Sequence, residues 1–201
     1  MPAINRKKRV IFPVRDSYDA IIVGAGPAGI FTALELTTLR PDYRVLVLDA
    51  GRAIARRNCP ARVTGKCVNC KPCAIMSGWA GAGAFSDGKL SLSPEVGGNI
   101  TDYMSEAQAQ ALIDYADSVY PRFGAPAVVH GGLNDPKVGE IAYECSKYQI
   151  HLVRCPVRHM GTEYCGVTLE NMYKHLSSLD NFTFLECATA QEILLENGRA
   201  C

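Results

Sequence analysis

The chain has 201 residues, of which 48% are hydrophobic and 20% are charged, and its formal net charge is +1. Such a chain can bury a sizeable core in one domain or slightly more. The near-neutral charge gives no reason to expect a nucleic-acid partner, and no apolar run is long enough to span a membrane. We therefore expect a cytoplasmic protein with neither kind of partner.

Residues 1–17 form a basic N-terminal extension that contains Arg6, Lys7, Lys8 and Arg9. The apolar residues that follow these four charges are interrupted by Pro13, and the run is too short for a signal-peptide core. We interpret the extension as a solvated tail.

The stretch Asp19–Leu39 has the order strand, glycine turn, helix. Gly24 allows a tight turn, Gly26 lets the backbone approach a pyrophosphate, and Gly29 lets the helix pack closely on its strand. Pro27 suits the first turn of a helix, and the free amides there, with the helix dipole, predict an anion site. The predicted cofactor-binding residues of this stretch are Gly24, Gly26, Pro27, Ala28 and Gly29.

A second apolar run, Val45–Leu48, ends in Asp49, twenty residues after Gly29. An acidic side chain at this spacing is expected to meet a ribose hydroxyl of a dinucleotide. The alternative is a glycine-rich turn of an α/β protein that binds no ligand.

An arginine-rich segment, Gly51–Ala61, follows the strand that bears Asp49. Ligands of parallel sheets bind at the carboxyl ends of the strands, so we expect an arginine there, Arg57, to reach a cofactor phosphate. A charged helix surface is the alternative.

Nine cysteines in a chain without a secretion signal favour reduced thiols, a metal site or redox chemistry. Four of them lie within fifteen residues, and their spacing suits an iron–sulfur or zinc site. A redox dithiol and simple packing are the alternatives. The predicted metal ligands are Cys59, Cys67, Cys70 and Cys73.

The segment Ser77–Leu92, SGWAGAGAFSDGKLSL, is rich in glycine and carries one lysine. Its many unencumbered amides suit close contact with an anionic or planar ligand, whereas Trp79, Phe85 and Leu90 are unusual in a flexible linker. The predicted ligand contacts are Gly81, Gly83, Ser86, Asp87, Gly88 and Lys89.

The rest of the chain alternates between helical and strand patterns. A capping box at Ser105 and Gln108 predicts a helix ending near Pro121. Asp135 and Pro136 predict the start of a second helix, with Val138 and Ile141 on its apolar face.

The segment Ile150–Val153 predicts a short strand, and Thr168 is expected to cap a third helix. His159 lies between them in a polar segment, and we interpret it as a packing residue. Phe182–Cys187 and Glu192–Leu195 are strand-like, and Asn197–Gly198 predicts a hairpin turn. Because the sequence stops just beyond that turn, we expect the N-terminal part of a longer protein.

From Tyr18 onward the chain resembles a family of FAD-dependent dehydrogenases of bacteria and archaea, related to flavoproteins of the glutathione-reductase type. The glycine turn, the cysteine segment and the SGWAGAGAFSDGKL loop carry the resemblance. It implies an α/β, Rossmann-like FAD-binding domain, with a parallel sheet and flanking helices, interrupted by the start of a cap or substrate domain. The expected divisions are 1–17, 18–100 for the FAD-binding segment, 101–165 for the insertion, and 166–201.

The resemblance also implies a function. FAD would lie with its pyrophosphate on the glycine turn, its ribose at Asp49 and its flavin along the Gly81–Lys89 loop, and it would transfer hydride or electrons. Aspartate replaces the glutamate that is more common in such flavoproteins. A small-molecule substrate or electron donor, including NAD(P)H, would be the partner. An NAD(P)-binding enzyme and a non-catalytic nucleotide- or metal-binding module remain the alternatives.

Overall fold

The computed structural model describes residues 17–132 and 134–200, so the predicted charges Arg6–Arg9 lie outside the described residues. The described residues form two compact units. One contains the residues up to Gly81 together with those from Lys174 onward, and the other is Ala82–Tyr173. In chain order the helices and strands are β1 (Ala20–Val23), α1 (Pro27–Leu39), β2 (Val45–Leu48), α2 (Ala61–Thr64), β3 (Lys89–Ser91), α3 (Glu106–Arg122), α4 (Pro136–Ser146), β4 (Val157–His159), α5 (Gly161–Ser177), β5 (Phe182–Leu185), β6 (Leu195–Glu196) and β7 (Arg199–Ala200).

The first unit is built on a three-stranded parallel sheet with the strand order β1-β2-β5. The central strand β2 is the most buried, with Val45 and Val47 fully inaccessible to solvent. Helix α1 joins β1 to β2 and buries Ile30 and Ala33. A parallel pair needs such a crossover, because its strands start at the same end of the sheet. The mixed α/β arrangement is Rossmann-like, as predicted.

The predicted hairpin turn at the end of the chain is confirmed, but the strand before it is Leu195–Glu196 and not Glu192–Leu195. Strands β6 and β7 pair in antiparallel fashion across Asn197 and Gly198, which both have positive φ angles, of 51° and 77°. Two positive φ angles in a two-residue loop give the twist that joins antiparallel strands well.

In the second unit, α3 begins at the predicted capping box. The Ser105 hydroxyl accepts a hydrogen bond from the Gln108 amide, and the Gln108 side chain accepts one from the Ser105 amide. A partly buried ion pair joins α3 to β4. Two guanidinium nitrogens of Arg158, Nε and Nη2, donate to the Asp117 carboxylate at 2.6 and 2.7 Å. Arg158 also donates to the Pro126 carbonyl.

Three predictions for this unit are wrong or incomplete. Residues Ile150–Val153 are not a strand; the strand is β4, which pairs with β3 in the register Lys89 to His159. Helix α5 begins at Gly161, so Thr168 lies inside it and is fully buried. Helix α4 starts at Pro136 as expected, but its predicted apolar face is not buried, since Ile141 is 53% exposed.

The boundary between the units falls after Gly81, inside the segment expected to belong to the FAD-binding domain. The reason is the pairing of β3 with β4, which ties the residues just before Lys89 to the second unit. None of the described helices is both long and apolar enough to cross a membrane.

Candidate functional site

The glycine turn between β1 and α1 is tightly closed. Gly24 has a φ of +103°, which L side chains rarely adopt, and its amide donates to the Leu48 carbonyl at 2.8 Å. A Cβ added to Gly29 would lie 2.0 Å from the Gly24 carbonyl oxygen, so only glycine fits at this position. Both glycines therefore have the backbone roles that the sequence predicts.

The head of α1 is open. Gly26 is the N-cap residue and offers no side-chain cap, Pro27 is the first helical residue, and the first turn contains no acidic side chain. Within residues 17–132 and 134–200, the Ala28 and Gly29 amides have no hydrogen-bond acceptor. Amides in this position, aligned with the helix dipole, favour an anion.

The Asp49 carboxylate lies beside this helix head. Its Oδ2 accepts a hydrogen bond from the Ala25 amide at 2.9 Å, and its Oδ1 accepts one from the Gly51 amide at 2.7 Å. The carboxylate therefore joins the glycine turn to the end of β2. Each carboxylate oxygen has a further lone pair and can accept a second hydrogen bond. The contact with a ribose hydroxyl stays a prediction.

A crevice opens at the carboxyl ends of β1, β2 and β5, with a volume of about 280 Å³. Open α/β sheets bind their ligands at this edge. Its lining residues are Val23, Gly24, Leu48, Asp49, Ala50, Met76, Ser77, Ala188, Thr189 and Ala190.

The start of the glycine-rich loop lies against the glycine turn. The Ala80 amide donates to the Ala25 carbonyl at 2.7 Å, and a Cβ on Gly81 would lie 3.6 Å from the Gly26 Cα. Trp79 is fully buried and meets Phe184 of β5 edge to face, with ring centroids 5.2 Å apart. The structure thus brings Gly81 to the predicted pyrophosphate position.

Arg57 has a structural role that sequence reasoning missed. It is buried, with 4% exposure, and its guanidinium donates hydrogen bonds to four backbone carbonyls of one segment. The acceptors are the carbonyls of Ala74, Ile75, Trp79 and Gly81. Arg57 therefore shapes the segment 74–81, whereas its predicted contact with a cofactor phosphate stays a prediction.

The other predicted loop residues belong to the second unit. The Ser86 hydroxyl donates to the Gly83 carbonyl at 2.9 Å and accepts from the Gly88 amide at 3.2 Å. Asp87 pairs with Lys89 at 2.6 Å, and His159 lies 4.0 Å from the same carboxylate. These contacts make a compact turn, and contact of its residues with a cofactor stays a prediction.

The four clustered cysteines do not form the predicted metal site. Across the described part of the chain, no three His, Cys, Asp or Glu side chains come together in a way that could hold a metal ion. Cys59, Cys67, Cys70 and Cys73 are free thiols, and Cys67 and Cys73 are exposed. Sequence spacing brings thiols near one another but does not fix the directions of their side chains.

Cys73 is expected to react as a thiolate at lower pH than an ordinary cysteine. Hydrogen bonds from the Met76 and Ile75 backbone lower the pKa of its thiol, and the Arg57 charge adds to the effect. Burial and the Asp87 charge instead raise the pKa of Cys165. The thiolate is the form that reacts with iodoacetamide. The alkylation rate of Cys73 should therefore reach its plateau at a lower pH than that of Cys165. Rates for each cysteine, measured by mass spectrometry across a pH series, test this order; a Cys73 midpoint at or above that of Cys165 would contradict it.

Neither a protein-family model nor a curated protein matches the chain. Among solved structures it is similar to L-amino acid deaminase from Proteus vulgaris, at 13% identity and a TM-score of 0.47, over 93% of this chain and 44% of the other. It is also similar to the L-amino acid deaminase from Proteus myxofaciens in complex with anthranilate, at 13% identity and a TM-score of 0.32, over 93% and 42%. The chain thus spans less than half the length of each. A likeness at this level assigns neither a family nor an activity.

Proposed function

We propose that this chain holds the FAD of a flavin-dependent oxidoreductase. One observation carries the proposal. The uncapped N-terminus of α1 lies beside the Asp49 carboxylate, which is 2.9 Å from the Ala25 amide, at the edge of a parallel sheet. Amides for a diphosphate and a carboxylate for a ribose are the two parts that an adenine dinucleotide requires.

The residues around the turn fit such a ligand. In the part of the chain that the structure describes, a Cβ on Gly26 would meet no atom within 4 Å, so the space in front of this residue is open to a phosphate. Gly81 faces the same position from the loop and also lacks a side chain. The diphosphate would rest on the Ala28 and Gly29 amides, and the adenosine half would enter the crevice beside Asp49.

A bound flavin would supply the hydride or electron transfer. This chain would hold the nucleotide and orient it, through the glycine turn, Asp49 and the segment that Arg57 shapes. A small-molecule substrate, with NAD(P)H as a candidate electron donor, belongs to the same proposal. The SGWAGAGAFSDGKL loop, whose first residues contact the glycine turn, favours FAD over NAD as the resident nucleotide.

Titration of the purified chain with FAD, followed by flavin fluorescence, tests the proposal. FAD should bind and be displaced by ADP, whereas FMN, which lacks the adenosine half, should neither bind nor compete. Tighter binding of NAD than of FAD would instead identify an NAD-binding enzyme. A protein that binds neither nucleotide would overturn the proposal.

A further inference from the structure

A second cavity lies next to the crevice and has a volume of about 440 Å³, within the range of small-molecule sites. It begins where β2 and β5 end and is bounded on the far side by the cysteine segment. We call it the basic cavity, because four of its lining side chains are cationic and none is acidic. The cations are Arg52, Arg56, Arg57 and Lys71.

Two of the four cations already have partners. Arg57 donates to the backbone of segment 74–81 and interacts with the Asp49 charge. Arg56 forms an ion pair with Glu186, whose side chain is 8% exposed and also accepts a hydrogen bond from the Ala53 amide.

Arg52 and Lys71 are different. Both are exposed, and within residues 17–132 and 134–200 neither forms an ion pair. Asp49 and Glu186, the carboxylates that interact with Arg57 and Arg56, form no ion pair with Arg52 or Lys71. The cavity is therefore lined by two cations, at the two ends of the segment 52–71, that no carboxylate of the described residues neutralises through an ion pair.

The rest of the lining sets the character of the ligand. Pro60, Pro72 and Ala74 provide apolar surface, and Asn58 and Ser77 provide neutral hydrogen-bonding groups. A cavity of this kind suits a small molecule with a short apolar frame and charged ends. Arginine pairs with carboxylate and phosphate through two parallel N–H donors, and lysine pairs with either as a point charge.

We propose that the basic cavity binds a small dianion, with carboxylate or phosphate groups held by Arg52 and Lys71. This site adjoins the nucleotide crevice, with which it shares Ala50, Ser77 and Thr189, and the proposal does not depend on the identity of the nucleotide. One of its three lining cysteines, Cys73, offers a reporter, because an occupant would shield that thiol from a neutral alkylating reagent.

The experiment measures the alkylation rate of each cysteine by iodoacetamide, using mass spectrometry of the whole chain at constant ionic strength. Inorganic pyrophosphate and succinate are the two probes. Either probe should slow the alkylation of Cys73 by about fivefold or more at saturation. Cys67, which is also exposed but does not line the cavity, is the control thiol and should keep its rate.

Variants distinguish binding in the basic cavity from non-specific charge screening and from binding in the crevice. The double variant Arg52→Gln, Lys71→Gln should weaken the protection by about tenfold or more, since it removes both charge-assisted contacts with the anion. The matched pair Arg122→Gln, Lys137→Gln, which removes two exposed cations elsewhere, should leave it unchanged. Protection should also persist in Gly26→Val, in which the phosphate position of the crevice is filled.

Each result bears on the proposal. Protection by pyrophosphate alone identifies a phosphate ligand, protection by succinate alone identifies a dicarboxylate, and protection by both identifies a site for either group. No protection by either probe overturns the proposal. So does equal slowing at Cys67, protection that survives loss of Arg52 and Lys71, or protection that disappears in Gly26→Val.

Discussion

Gly26→Val is expected to leave the fold intact and to weaken FAD binding by on the order of 100-fold, which corresponds to about 2.7 kcal/mol. A Cβ at this position meets no atom of the described residues within 4 Å, and the φ of −73° is an ordinary one for valine. The branched side chain would instead occupy the space in front of the α1 amides, where the diphosphate is proposed to lie. Flavin fluorescence titration measures the affinity, and urea denaturation measures the stability.

The neighbouring Gly29→Ala variant is the matched contrast. Its single added methyl would lie 2.0 Å from the Gly24 carbonyl oxygen, so α1 must move away from β1. Overpacking of this kind destabilises a protein by about 1–3 kcal/mol, and sometimes by more. The larger residue at position 26 should therefore be the milder change for the fold. Unaltered FAD affinity in a folded Gly26→Val protein would show that the cofactor does not lie on the glycine turn.

Arg57→Met is expected to lower the free energy of unfolding by about 3–5 kcal/mol, which makes it the largest stability effect predicted here. Methionine keeps much of the buried apolar stem but removes the donors for four carbonyls of the segment 74–81. At least the Trp79 carbonyl is in a buried hydrogen bond, and a buried acceptor without a donor costs about 1–3 kcal/mol. The shift in the urea midpoint gives the change.

Arg52→Met is the control for this measurement, because Arg52 lies on the same segment but is exposed and forms no ion pair within the described residues. Its effect should stay within about 0.5 kcal/mol, as is usual at a surface. Arg57→Lys should also destabilise the protein, because an ammonium lacks the planar fork that reaches four separate oxygens. A loss below 1 kcal/mol for Arg57→Met would show that the loop holds its shape without the guanidinium.

Local signals in the sequence predicted the elements of the first unit well. The bounds of β1, β2 and the start of α1 follow from short apolar runs, glycines and one proline, and each of these acts within a few residues of itself. The capping box at Ser105 and the turn at Asn197 were predictable for the same reason. Even the position of Asp49 beside the helix head followed from its spacing.

The errors arose where a distant partner decides the structure. Strand β4 looks polar because Arg158 and His159 are in it, but Arg158 is neutralised by Asp117, 41 residues away.

The apolar stripe of α5 begins at Cys165, four residues before Leu169, and treating that cysteine as apolar would have placed the start of the helix earlier. For Arg57, arginine near a sheet edge suggested a ligand, whereas a buried guanidinium with backbone acceptors is invisible in the sequence.

The segment 74–81, which Arg57 holds through hydrogen bonds, forms a wall that the crevice and the basic cavity share. Ser77 borders the crevice on one side and the basic cavity on the other, and Ala50 and Thr189 are likewise shared. A displacement of this wall toward one hollow would narrow that hollow and widen its neighbour. A ligand that moved the wall in one hollow would therefore change the affinity of the other, with the same coupling free energy in both directions.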